Sequence, residues 1–145
     1  MAAAAAEGSV PEEPIDVASV DIEPNQCPLE SPLSVGIRFR SKVAIGNPSW
    51  TCQYLVDIAH KRHVIELGTF RVPHPYQVGD NSFEFHVDKV DVSIIKKKHL
   101  LNNVGLLTLS LMDGADVVVS IKIVTQVAYA ADGETLQRTM FNPLQ

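Results

Sequence analysis

In the run Pro32-Leu33-Ser34-Val35-Gly36-Ile37-Arg38-Phe39-Arg40, large apolar side chains fall at every second position, with Ser, Gly and Arg between them. A period of two sends successive side chains to opposite sides of an extended backbone, so the run reads as a strand with one dry face and one wet face. Trp50, Cys52, Tyr54 and Val56 repeat the alternation, and residues 82–88 repeat it again, with Phe83, Phe85 and Val87 set against Glu84 and His86. Half-buried strands of this kind must cover one another's dry faces, which commits the chain to sheet packed on sheet.

The rest of the punctuation fits that plan. A chain of 145 residues with 46% hydrophobic residues is one domain's worth of material, able to bury about two thirds of its unfolded surface. Residues 1–15 form an Ala, Glu and Pro tract without periodicity and are expected to be a disordered arm. Residues 16–23 alternate as an opening edge strand that Pro24 stops, and Gly46-Asn47-Pro48-Ser49 turns the chain into the tryptophan strand. Residues 64–72 read as a strand broken at Gly68, followed by a loop through Pro73-His74-Pro75 and Val78-Gly79-Asp80-Asn81. In residues 91–103, Asp91 as N-cap and Lys96, Lys97, Lys98 and His99 toward the C-terminal end predict a short crossover helix.

Residues 104–112 and 116–127 are joined through Asp113-Gly114, a strong hairpin signal. Both are apolar on nearly both faces, so the hairpin is expected to be central or half covered by a partner. The expected fold is all-β: an immunoglobulin-like antiparallel β-sandwich of seven or eight strands over residues 16–129, with the short helix and a C-terminal tail from 130 to 145. In that tail Leu136, Met140, Phe141 and Leu144 make an i, i+4, i+5, i+8 stripe able to dock on a neighbour. The expected core is Val35, Ile37, Phe39, Trp50, Tyr54, Phe83, Phe85, Leu107, Leu109, Leu111 and Ile121.

Composition narrows the chemistry. A net charge of −5 argues against a phosphate backbone as principal ligand, because counterion release needs a basic face. Cys27 and Cys52 are too few for a disulfide framework, and the N-terminal alanines lack both the basic start and the apolar core of a signal peptide, so an intracellular, reducing compartment, nuclear or cytoplasmic, is expected. No apolar run approaches the roughly 20 residues of a membrane helix. His60 and His63 lie beside Lys61 and Arg62, which repel a cation, and neither matches a zinc spacing with a cysteine. No nucleophile elbow or glycine-rich phosphate loop occurs. The expectation is a protein that is not an enzyme and uses no metal or cofactor.

The spacing of Asn25, Pro28, Leu29, Pro32, Leu33, Val35, Ile37 and Phe39, followed by Trp50 and Tyr54, resembles the anti-silencing function family of histone chaperones. The family's aromatics are aliphatic here at Leu29, Leu33 and Val35, and Gln26 interrupts its Asn-Pro pair. The resemblance implies an immunoglobulin-like sandwich whose concave sheet face clasps a core histone dimer. It also implies an apolar patch on the strand after the crossover, a basic residue on the last strand, and acidic residues near the loop after the tryptophan strand. Val104-Gly105 matches the start of the patch strand, Leu106, Thr108 and Ser110 form one of its faces, and Lys122 stands in for the basic residue. Where the family has carboxylates, this chain has His60-Lys61-Arg62-His63 and, further on, Gly68.

Three readings of function stay open. One is a histone chaperone-like module of chromatin. Another is a scaffold or adaptor sandwich in a cytoskeletal or ciliary assembly that has lost histone binding, and the third is a lipid-carrying sandwich with a cavity between its sheets. For the two protein-binding readings the expected contact residues are Leu106, Thr108, Ser110, Val118, Lys122 and Val124: Thr108, Ser110 and Lys122 are what the resemblance implies, and Leu106 with Val118 or Val124 follow from the hairpin, which buries one face and leaves the other to cover something else. The partner is another protein, core histones or an assembly scaffold, without direct contact to nucleic acid or membrane.

Overall fold

Each alternating stretch is a strand in the computed structural model, which describes residues 13–144. In chain order the strands are β1 (Ile15–Glu23), β2 (Cys27–Pro28), β3 (Leu33–Ser41), β4 (Pro48–Ile58), β5 (Lys61–Arg71), β6 (Gly79–Val87), β7 (Val104–Asp113), β8 (Asp116–Tyr129) and β9 (Leu136–Met140). They form a six-stranded sheet in the order β2-β9-β8-β7-β4-β5 and a three-stranded sheet in the order β1-β3-β6. All pairings are antiparallel. The molecule is an all-β sandwich.

The dry faces meet as the period of two requires. Leu33, Val35, Ile37 and Phe39 of β3 are at most 2% exposed, and Trp50, Cys52, Tyr54 and Val56 of β4 at most 1%. Leu107, Leu109 and Leu111 of β7 and Ile121 and Ile123 of β8 complete the wall. Trp50 bridges the layers: it stacks on Phe83 at 5.1 Å, meets Phe39 edge-on at 5.9 Å, and donates its Nε1 hydrogen to the Tyr76 hydroxyl at 3.1 Å. Rings therefore fill the centre. Every residue expected in the core is buried except Phe83, which is half-buried against Trp50.

Three boundaries differ from expectation. Most of the expected arm, residues 1–12, lies outside the described residues, but Pro14 already accepts a hydrogen bond from the Lys42 amide at 2.8 Å and Ile15 is buried at the start of β1. The expected helix over 91–103 is a loop ending in a single 3-10 turn, Lys98–Leu101. Asp91 closes an Asx-type turn onto the Ser93 amide at 3.0 Å instead of capping a helix. The buried residues Val90, Val92, Ile95 and Leu101 have spacings no single helical stripe can satisfy.

The stretch expected to be a tail supplies β9, which pairs with β8 from Leu136↔Tyr129 to Met140↔Thr125. Its period is two, with Leu136, Arg138 and Met140 facing inward and Arg138 0% exposed. The guanidinium donates to the carbonyls of Leu29 at 2.7 Å, Ser31 at 2.8 Å and Pro32 at 2.7 Å. Asn25 closes the far end of the strand, accepting from the Met140 amide and donating to its carbonyl, both at 2.8 Å. The outer edge of β9 is thus occupied by β2, Asn25 and the 29–32 segment.

Candidate functional site: the outer face of the six-stranded sheet

Because β7 and β8 lie inside the six-stranded sheet, their second face is a continuous surface. Register decides its pattern. Leu55 of β4 stands opposite Val64 of β5 on one side and Leu106 of β7 on the other, and Leu106 stands opposite Val124 of β8. The Phe141 amide then donates to the Val124 carbonyl at 2.9 Å, which sets Phe141 at the end of the same row. Directly opposed residues share a face, so Val64, Leu55, Leu106, Val124 and Phe141 make one apolar row perpendicular to the strands. At about 4.8 Å per strand it runs roughly 19 Å. Val64, Val124 and Phe141 are 48%, 43% and 49% exposed.

A polar row follows on one side. Glu66, Gln53, Thr108 and Lys122 are in register across β5, β4, β7 and β8. Gln53 Nε2 donates to Glu66 Oε2 at 2.7 Å, which orients the carboxylate at one end while Lys122 stands exposed at the other. The next row is small and hydroxylated: Thr69, Thr51, Ser110 and Ser120, with the two serine hydroxyls 2.9 Å apart. Beyond the apolar row, Asp57 accepts from Arg62 Nε at 3.1 Å, and Val104 is 55% exposed.

Five of the six residues expected at the contact surface, Leu106, Thr108, Ser110, Lys122 and Val124, share this face. Val118 does not. The register shifts from Leu111↔Val119 to Met112↔Val117, leaving Val118 in a bulge where it packs against the core. Sequence reasoning missed Leu55, Val64, Gln53, Glu66 and Phe141. The alternation of β4 and β5 puts the first four opposite the core-facing residues, but only the pairing joins them to Leu106.

The basic run His60-Lys61-Arg62-His63 starts in the two-residue turn between β4 and β5, where Ala59 and His60 adopt φ of 53° and 64°, and continues along the first residues of β5. Hydrogen bonding to Asp57 stabilises the charged Arg62 and raises its pKa. Glu66, three residues past the run, and Asp57 are acidic groups on the sheet face. Among the described residues no three His, Cys, Asp or Glu side chains gather into a group able to hold a metal ion, and no helix is long and apolar enough to cross a membrane.

No protein-family model and no curated protein matches this chain. Among solved structures it is similar to Spo0M, the sporulation control protein of Bacillus subtilis, over 90% of this chain and 91% of that one, at 9% identity and a TM-score of 0.33. Similarity at that level carries no argument about family or activity.

Proposed function

We propose that the protein is a non-catalytic protein-binding module whose outer sheet face takes a helical segment of a partner, with a core histone dimer as the partner to test first. The observation that carries the reading is the apolar row Val64, Leu55, Leu106, Val124 and Phe141, with Glu66 and Lys122 at opposite ends of the row beside it. An α-helix rises 1.5 Å per residue, so a row of roughly 19 Å matches about 12 residues of helix presenting apolar side chains at i, i+3, i+4 and i+7. The opposed charges favour one direction of such a helix over the other. The resemblance to the anti-silencing function family supports histones as the partner, since its apolar patch and basic residue correspond to Leu106 and Lys122.

The basic run at residues 60–63 favours a second reading, an adaptor in a cytoskeletal or ciliary assembly whose partner is less cationic than a histone. On the chaperone reading the protein works in the nucleus, and on the adaptor reading in the cytoplasm. Purified core histone dimer and the full chain, mixed at near-physiological salt, decide between them. Binding that is lost with Leu106→Arg and with Lys122→Glu supports the chaperone reading. No binding by the unmutated protein removes it and leaves the adaptor, whose partner should still be lost with Leu106→Arg.

A further inference from the structure

The six-stranded sheet ends in β5, whose far side pairs with no other strand among the described residues. The two-residue turn Ala59-His60 makes Ile58↔Lys61 a hydrogen-bonded pair, and such pairs alternate along an antiparallel ladder. Arg62, Val64 and Glu66 therefore turn their N–H and C=O groups away from β4. The register then shifts between Gln53 and Cys52, with Leu67 as the extra residue on β5. Residues 62–66 are consequently a short, straight stretch of free edge, bounded by a tight turn and a bulge.

A cleft of about 340 Å³ adjoins that edge. One wall is β5, through His63, Val64 and Ile65, and the other is the loop carrying Ile94 and Leu100. Ile94 is 68% exposed, a large apolar side chain left in water beside an apolar cleft. Lys96 and Lys97 also line it, and neither has a carboxylate partner among the described residues. The other two lysines of this region, Lys89 and Lys98, are both held by Glu30, at 3.5 and 2.7 Å. Cationic groups thus remain unpaired where the cleft opens, in a chain whose net charge is −5.

We propose that residues 62–66 of β5 and the cleft beside them form a strand-addition site for an extended segment of a partner protein in which apolar and acidic residues alternate. The outward main-chain groups of Arg62, Val64 and Glu66 provide the hydrogen bonds. The cleft takes every second side chain against Ile65 and Ile94, and Lys96 and Lys97 select carboxylates. This surface is distinct in mode from the outer face, which presents side chains rather than main chain, and it meets that face along Arg62, Val64 and Glu66, whose side chains belong to the outer face while their main chain forms the edge.

The test uses the full chain and two fluorescein-labelled synthetic peptides, one alternating Ile or Val with Asp or Glu, the other with the acids replaced by Lys, followed by anisotropy at near-physiological salt. The acidic peptide is expected to bind and the basic one not. Lys96→Glu combined with Lys97→Glu should weaken the acidic peptide by roughly tenfold or more. Ile94→Ser should weaken it several-fold. Val64→Pro removes an outward donor without taking a bond from the β4–β5 ladder, so it should abolish binding while circular dichroism stays unchanged. Should Val64→Pro disturb the fold, the lysine pair and Ile94, both on the exposed loop, still decide the matter. No saturable binding of the acidic peptide, equal binding of both peptides, or binding indifferent to the lysine reversal overturns the proposal. So does sedimentation showing that the edge is occupied by a second copy of the chain. Histone binding is read with a different probe, so either reading can fall without the other.

Discussion

Gly105 gives the sharpest test of how the two central strands pack. It is buried in β7, opposite Val56 of β4 and Thr125 of β8, so its backbone is held from both sides. A Cβ added there would lie 2.6 Å from Tyr54 Cζ and 2.8 Å from the Leu55 carbonyl oxygen, and closer still to the Tyr54 hydroxyl. None of these neighbours is the free end of a flexible chain. Overpacking of this kind costs about 1–3 kcal/mol, and contact with a ring and a main-chain carbonyl puts Gly105→Ala at the upper end. The lower entropy of unfolded Ala returns about 0.5 kcal/mol, which leaves a net loss of about 2.5 kcal/mol. Among the described residues the buried Tyr54 hydroxyl has no hydrogen-bond partner, and burial raises its pKa to about 12, so the ring stays neutral and the conflict is steric. Tyr54→Phe alone should therefore be neutral, or stabilising by up to about 1 kcal/mol. In that background Gly105→Ala should cost about 1 kcal/mol less, because the closest contact is gone while those to Cζ and Leu55 remain. Urea melts of the four proteins, compared at equal m, measure the cycle. A Gly105→Ala loss below about 0.5 kcal/mol, or the same loss in both backgrounds, would refute the reasoning.

Two further outcomes follow from buried polar groups. Arg138→Met keeps the volume but strips the Leu29, Ser31 and Pro32 carbonyls of their donors, so a loss of about 2–4 kcal/mol is expected even after the relief of a desolvated cation. Arg138→Lys should recover little of it, since one ammonium cannot reproduce the planar fork; denaturant melts showing the Met variant as stable as the parent would contradict this account. Burial pushes the Cys52 thiol up to about 12, so its reactive thiolate is withheld at pH 8, whereas Cys27 is only partly buried. Maleimide titration at pH 8 should modify Cys27 in the native protein and both thiols in denaturant, and two fast-reacting thiols in the native state would show the Cys52 wall to be open.

The sandwich was legible wherever each strand carries its own alternation. Leu33 to Phe39, Trp50 to Val56 and Phe83 to Val87 announce their dry faces residue by residue, and Asp113-Gly114 announces its hairpin, with Gly114 at φ 60°. The apolar character of both faces of β7 and β8 predicted a central position, and both strands are interior. What stayed hidden did so for particular reasons. The period of two in β9 has an arginine at its middle inward position, and only the carbonyls of a segment more than a hundred residues earlier make that position tolerable. Val118 was assigned to the contact face because a bulge cannot be counted from one strand alone. Sequence by itself determined which side chains share a face of a given strand, since that is a local property of extended backbone. Only tertiary structure decided that residues 64, 55, 106, 124 and 141 stand in one row, because strand order and register arise from pairing between distant segments, where a shift of a single residue would have sent every one of them to the other side.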